Sequence, residues 1–457
     1  MREGGSRAPA VSTHAHGSGR WLLSVRTTLL AVGAVAVIGV TPLPAQPATA
    51  WTTAWAASVQ GPYPVGNVSL PTRLEQVFPS PESGARNQSF RLIVRPDVWG
   101  PQARIRLSNA LGTRPITFDD VFVGLQLSGS AVLKGTNTPV LFGGRTSVTV
   151  APGAEAWSDG VTLRTSGAGT EGRKLAVSLH VAGESGPMTW HAKALTTSYV
   201  TWPGSGSTTA DEREQAFPAS TTSWFFLDAV DMRMPEGTRT IVALGDSITD
   251  GTASTLNGDD RWPDVLSRRM HAQYGDRVSI VNAGIGGNRV VGPADYAPSK
   301  PFAGGPPAAQ RLERDVLRLS GVSAVIWLEG INDFGVAANT SVDAVQQGMR
   351  DVVTRLHAKG IRVFAATLTS AVGNGTPVDS AARETKRQAL NAFIRTSGLF
   401  DGVFDFDRAT TDPATGAMRD AFIPNSTDGG PGDHLHPNRP GYAAMAGAVA
   451  LDALMTP

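Results

Sequence analysis

The sequence predicts an α/β protein whose doubly wound parallel sheet is preceded by an all-β sandwich or jelly roll. Three observations carry that reading. The chain has 457 residues, more than one ordinary core accommodates. Residues 51–234 alternate in short segments, such as 90–94, 104–107, 147–150 and 174–181, separated by Gly, Pro, Ser and Asn clusters, the pattern of a sandwich. After Pro235-Glu236-Gly237 the texture changes, and apolar runs rich in β-branched residues alternate with amphipathic stretches, the βαβ pattern.

Taken in order, residues 1–50 read as an export signal. Arg20 and Arg26 precede a short apolar stretch at 29–40, and Ala48-Thr49-Ala50 supplies a cleavage point before Trp51. The stretch is well short of the roughly 20 residues that a spanning helix needs. The expectation is a secreted, extracellular protein, monomeric, with no stable membrane insertion once the signal is removed. Residues 51–234 are expected to form a β-sandwich-like accessory domain and residues 235–457 the α/β domain, which the motifs below mark as the catalytic one. In the latter, strands are expected at 240–244, 278–282, 322–328, 361–367 and 403–406. Helices are expected at about 260–274, 308–319, 341–358, 379–396 and 440–454. Continuous apolar strands imply a sheet covered on both faces, with function gathered at the strands' carboxyl ends.

Composition excludes several classes. Lys and Arg number 40 against 39 Asp and Glu, so there is no basic footprint for nucleic acid or for an acidic membrane surface. With no cysteine in the chain, disulfides, thiolate nucleophiles and Cys-ligated metal centres are ruled out.

Chemistry-bearing residues fall just beyond the expected strand ends. Ser247, in Gly245-Asp246-Ser247-Ile248-Thr249-Asp250-Gly251, sits between an ending strand and a starting helix, the position of an exposed nucleophile that still needs a base and oxyanion donors. Gly286 and Gly287 follow the second strand, where a bare backbone amide can approach a substrate oxygen. Asn332, in Gly330-Ile331-Asn332-Asp333, follows the third and offers a side-chain amide. Asp433-His434-Leu435-His436-Pro437 lies on a Gly/Pro-rich loop before the last helix. Three residues apart, Asp433 and His436 can meet over one turn, the carboxylate holding Nδ1–H and leaving Nε2 to take a proton from Ser247.

As a set these blocks resemble the SGNH, or GDSL, hydrolase family, whose four motifs contribute Ser, Gly, Asn and His in that order. The resemblance spans about residues 239–457. It implies a flavodoxin-like three-layer fold, a serine esterase without cofactor, Ser247 as nucleophile, Asp433 and His436 as the rest of a triad, and an oxyanion hole from the amides of Ser247 and Gly287 with Asn332. Gly287 is preferred to Gly286 by counting from Asn282. Ile248 stands where the family's alternative name has Leu. The region containing Arg106-Leu107-Ser108-Asn109-Ala110 also looks like the amino-terminal half of some secreted bacterial members.

Other readings are weaker. Asp246 is expected to form the turn rather than act as an acid. His271 and His357 sit late in helices, where a cation suits the dipole, and His180 and His191 belong to the other domain. His434 is adjacent to Asp433, and adjacent side chains diverge. Asp433, His434 and His436 lack the further ligand that zinc would require, and 284–287 lacks a dinucleotide fingerprint. The expected function is hydrolysis of carboxylic esters, most simply acetyl groups on extracellular polysaccharide or small esters. The alternatives are a lipase or phospholipase, with the loop 290–307 walling an apolar groove, and a non-catalytic polysaccharide-binding protein with a decayed hydrolase domain.

Overall fold

The structure is a computed structural model that describes residues 48–456, apart from 71–73, 166, 168, 336–337 and 376–379. The apolar stretch read as a signal lies outside the described residues. The expected cleavage point before Trp51 falls within the strand Thr49–Ala56, which pairs with Leu227–Pro235 from Thr49 opposite Pro235 onward.

Among the described residues, the strands up to Pro235 form antiparallel ladders. One sheet runs, in spatial order, Thr49–Ala56, Leu227–Pro235, Gln102–Ser108 and Glu155–Trp157. The other runs Ala219–Thr221, Ser198–Val200, Arg86–Val94, Leu175–Glu184, Ile116–Ser128 and Ala131–Val132. Ile105, Leu107 and Val230 from the first share an apolar core with Phe90, Leu92 and Leu179 from the second. Trp190 and Trp224 are buried in this core, whereas Trp99 and Trp157 are half-buried.

The second part is a parallel sheet of β1 (Arg239–Gly245), β2 (Val278–Gly284), β3 (Val322–Leu328), β4 (Arg362–Ala366) and β5 (Gly402–Phe404). Their spatial order is β2-β1-β3-β4-β5. In that order the chain reverses its winding between β1 and β3, which opens a crevice at their carboxyl ends. The strands are buried on both faces, as their Val, Ile and Ala content requires. Helices α1 (Ser247–Asp250), α2 (Trp262–Tyr274), α3 (Val342–His357), α4 (Ala381–Thr396) and α5 (Arg439–Gly447) connect or flank them. The region expected as one helix at 440–454 is broken after Gly447 and resumes at Leu451–Met455. Similarly, 308–319 is a short α-helix, Ala308–Leu312, that widens into a π-turn, Glu313–Leu317.

The two parts do not separate at 235. Among the described residues, 48–456 belong to one compact unit, and Ala56 and Ala229 of the β-rich part belong to the core of the parallel sheet. A buried ionic seam reinforces the join. Arg106 Nε donates to Asp228 at 2.7 Å, and Arg106 Nη2 donates to the Arg314 carbonyl at 3.1 Å. The Arg314 guanidinium in turn reaches the Val59 carbonyl at 3.0 Å. Removing one partner of such a pair strands the other charge in a dry environment. Asp228→Ala is therefore expected to lower stability by about 3–5 kcal/mol in denaturant titration, and Asp228→Ala with Arg106→Met by less. Equal losses in the two variants would show that the seam contributes nothing specific.

Candidate active site

Ser247 opens α1 directly after β1. Asp246 caps this helix, its Oδ1 accepting the Ile248 amide at 3.0 Å, and so turns away from the pocket, as its turn-forming role requires. Burial pushes the Asp246 carboxyl up to about 8, helped by Glu329 and Asp333 and opposed by the capping amide and Arg311. The carboxyl beside Ser247 is therefore harder to ionise than an exposed one. Helix α1 passes close over the sheet because Gly245 lacks a side chain: a Cβ there would meet the Leu328 carbonyl oxygen and Thr249 Oγ1, both at 2.3 Å.

The histidine loop is pinned to the segment following α1. Thr427 Oγ1 donates to the Ser254 carbonyl at 2.6 Å, Tyr442 Oη to that of Thr252 at 2.6 Å, and Asn438 caps α5 by accepting the Gly441 amide at 3.1 Å. Within the loop Asp433 Oδ1 accepts the amides of Leu435 and His436 at 3.0 and 2.8 Å, an Asx-type turn. That turn explains how a three-residue spacing brings Asp433 Oδ2 to 2.5 Å from His436 Nδ1. The opposite ring nitrogen, Nε2, lies 2.8 Å from Ser247 Oγ. Burial works against ionisation of Asp433, but the bonds from His436 and the two amides outweigh it and hold the carboxyl well below its usual range. An ionised Asp433 selects the tautomer with the proton on Nδ1, so Nε2 is free to accept one. His434 has φ +57° and packs toward Gly373 instead.

Ser247, Gly286, Gly287, Asn332 and His436 line one pocket of about 250 Å³. Gly287 has φ +85°, a conformation that suits glycine. Among the described residues no hydrogen bond occupies its amide or that of Ser247. Asn332 Nδ2 spends one hydrogen on the Asn288 carbonyl at 2.9 Å; its other contact, to Asp246 at 3.4 Å, is long enough to yield to a stronger acceptor. The arrangement can activate a hydroxyl and offer three donors to an oxyanion.

Four further residues shape the site and have no motif in the sequence. Arg311, buried in the join, donates to the carbonyls of Gly245 at 2.8 Å and Ala283 at 2.7 Å, tying together the ends of β1 and β2. The other three come from the β-rich part. Asn67 Nδ2 donates at 2.9 Å to the carbonyl of Gly286, the oxygen of the same peptide whose N–H is the Gly287 amide. His191 Nε2 lies 3.1 Å from Asp250 Oδ1, while Asp250 Oδ2 accepts the Gly286 amide at 2.9 Å. Lys193 lines the pocket beside Asn67. His191, assigned from sequence to the other domain alone, thus reaches into this one. The loop 290–307 does not line the pocket; it is tied to the β-rich part by Gln60 Nε2, which donates to the Ala303 carbonyl at 2.7 Å.

His271 and His357 face carboxylates of Asp97 and Asp401 away from the pocket, at 3.1 and 2.8 Å. Among the described residues no cluster of three His, Cys, Asp or Glu side chains could hold a metal ion, and no helix is long and apolar enough to cross a membrane.

A parallel sheet with this constellation at its switch point defines a carboxylic ester hydrolase. Residues 243–444 match the family model described as GDSL-like lipase/acylhydrolase. Over this segment the chain is similar to that family. Solved structures that match part of the chain include a lipase/acylhydrolase from Enterococcus faecalis, at 22% identity and TM-score 0.35, covering 46% of this chain and 92% of that one. Est24, a carbohydrate acetylesterase from Sinorhizobium meliloti, has 18% identity and TM-score 0.34, covering 46% and 94%. A GDSL-like lipase from Bacteroides thetaiotaomicron has 18% identity and TM-score 0.33, covering 46% and 85%. No curated protein sequence matches the chain.

Proposed function

We propose that the protein is a secreted serine esterase that removes short acyl groups, acetyl foremost, from polysaccharide or small esters. The observation that carries the reaction is the continuous chain of bonds from Asp433 through His436 to Ser247, set beside unoccupied amides. Ser247 Oγ attacks the ester carbonyl as its proton passes to His436 Nε2. The amides of Ser247 and Gly287 and the Asn332 side chain hold the tetrahedral oxyanion. His436 then protonates the leaving alcohol, and water, activated by the same imidazole, releases the acid. The base works through an Nε2 that carries no proton before the attack.

Pocket size and lining support the short acyl group. About 250 Å³, bordered by Asn67, Lys193, Thr252 and Leu435, suits a short acyl group beside Ser247. Export rests on the arrangement of residues 1–50. The two antiparallel sheets closing on one core are read as a sandwich or jelly roll that both scaffolds the catalytic part and contributes to its pocket.

Chain-length profiling with 4-nitrophenyl esters, run beside acetate release from acetylated glycans, tests the substrate. kcat/KM is expected to drop by about tenfold or more from butyrate to octanoate. A rise toward long chains would instead establish the lipase alternative.

A further inference from the structure

Lys193 follows the short strand Trp190–His191 in the β-rich part, yet its side chain lines the pocket that holds Ser247 and His436. Its stem packs over Gly286, where an added Cβ would lie 3.4 Å from Lys193 Cε. The residue is only 7% exposed. An ammonium has three hydrogens to give. Among the described residues Nζ makes one long hydrogen bond, 3.3 Å to the Val68 carbonyl, and no carboxylate forms an ion pair with it.

Two carboxylates act on this charge from a distance, and both are committed elsewhere. Asp250 is shared between His191 and the Gly286 amide, and Asp433 serves His436 and two amides. A cation withdrawn from water without a contact partner is costly unless something completes it. The pocket, which a substrate must enter, lies beside it.

We propose that Lys193 is the counter-ion for a carboxylate on the substrate, so that the preferred ester is an anionic one. The carboxylate sits either on the alcohol, as in an acetylated uronate, or at the far end of the acyl group, as in a dicarboxylic half-ester. This inference rests on the serine-esterase reading of the same pocket. It assigns to the β-rich part a role in choosing substrate.

Two matched pairs of substrates test it. On the acyl side, 4-nitrophenyl hydrogen succinate is compared with 4-nitrophenyl butyrate; on the alcohol side, 4-acetoxybenzoate is compared with its methyl ester. In at least one pair the full-length wild-type protein is expected to favour the anion, and the pair that responds tells which half of the ester carries the charge. Lys193→Met should lower that anion-to-neutral ratio of kcat/KM by about tenfold or more, the worth of a charge-assisted hydrogen bond. Lys193→Arg, which keeps the sign, should stay within about threefold of wild type, less than one neutral hydrogen bond is worth. A wild-type preference for the neutral ester in both pairs overturns the inference without any variant, and so does an unchanged ratio in Lys193→Met. If the wild type hydrolyses no ester of either pair beyond Ser247→Ala, the esterase reading fails instead.

Discussion

Ser247→Ala is expected to abolish ester hydrolysis, with kcat lower by a factor on the order of 10⁶, while circular dichroism and thermal unfolding stay close to wild type. The hydroxyl is a small group whose hydrogen bond to His436 is local to the pocket, so its loss removes chemistry and not fold. His436→Ala should cost a similar factor. Adding it to Ser247→Ala should cost nothing further, because a base without a nucleophile has no proton to take. Multiplying losses in the double variant would mean that the two side chains act in separate steps, and the geometry at 2.8 Å would then be incidental.

Asn332→Ala is expected to lower kcat by about 10²–10³ with little change in KM, since the donor meets its acceptor only when the oxygen becomes an oxyanion. Asn67→Ala should move kcat in the same direction by a smaller factor. Asn67 touches no reacting atom; it fixes the carbonyl of the Gly286–Gly287 peptide and through it the aim of the Gly287 amide. Two readouts separate this positioning role from general loosening of the join. A phosphonate transition-state analogue should lose affinity in parallel with kcat/KM, and Asn67→Gln should recover part of the rate. A rise in KM with kcat intact would place Asn67 in ground-state binding.

The constellation at 247, 287, 332, 433 and 436 could be read from the sequence because each residue follows an apolar run that can only be a buried strand, or lies on the loop ahead of the last helix. A parallel sheet delivers strand ends to one edge whatever the intervening helices do. Asp433 and His436 are legible for a different reason: their contact is made by a local turn through the amides of 435 and 436. Asn67, His191 and Lys193 carry no such signal. They reach the site only because the β-rich part packs against the parallel sheet, a long-range event that leaves neither periodicity nor spacing behind. Arg311 was hidden by its position in an ordinary amphipathic stretch, where a charge reads as solvated until burial shows it holding two strand ends. The break after Gly447 and the π-turn at 313–317 are invisible to an apolar pattern that continues across both.

The most direct test of the central claim, that the hydroxyl at 247 is the nucleophile, is to treat the full-length protein with a 4-nitrophenyl alkylphosphonate and locate the adduct by peptide mass spectrometry. One equivalent of nitrophenolate should be released as activity disappears, with the phosphonyl group on Ser247, and Ser247→Ala should remain unlabelled. Stoichiometric inactivation with the label on any other residue, or an equal burst from Ser247→Ala, would contradict the account.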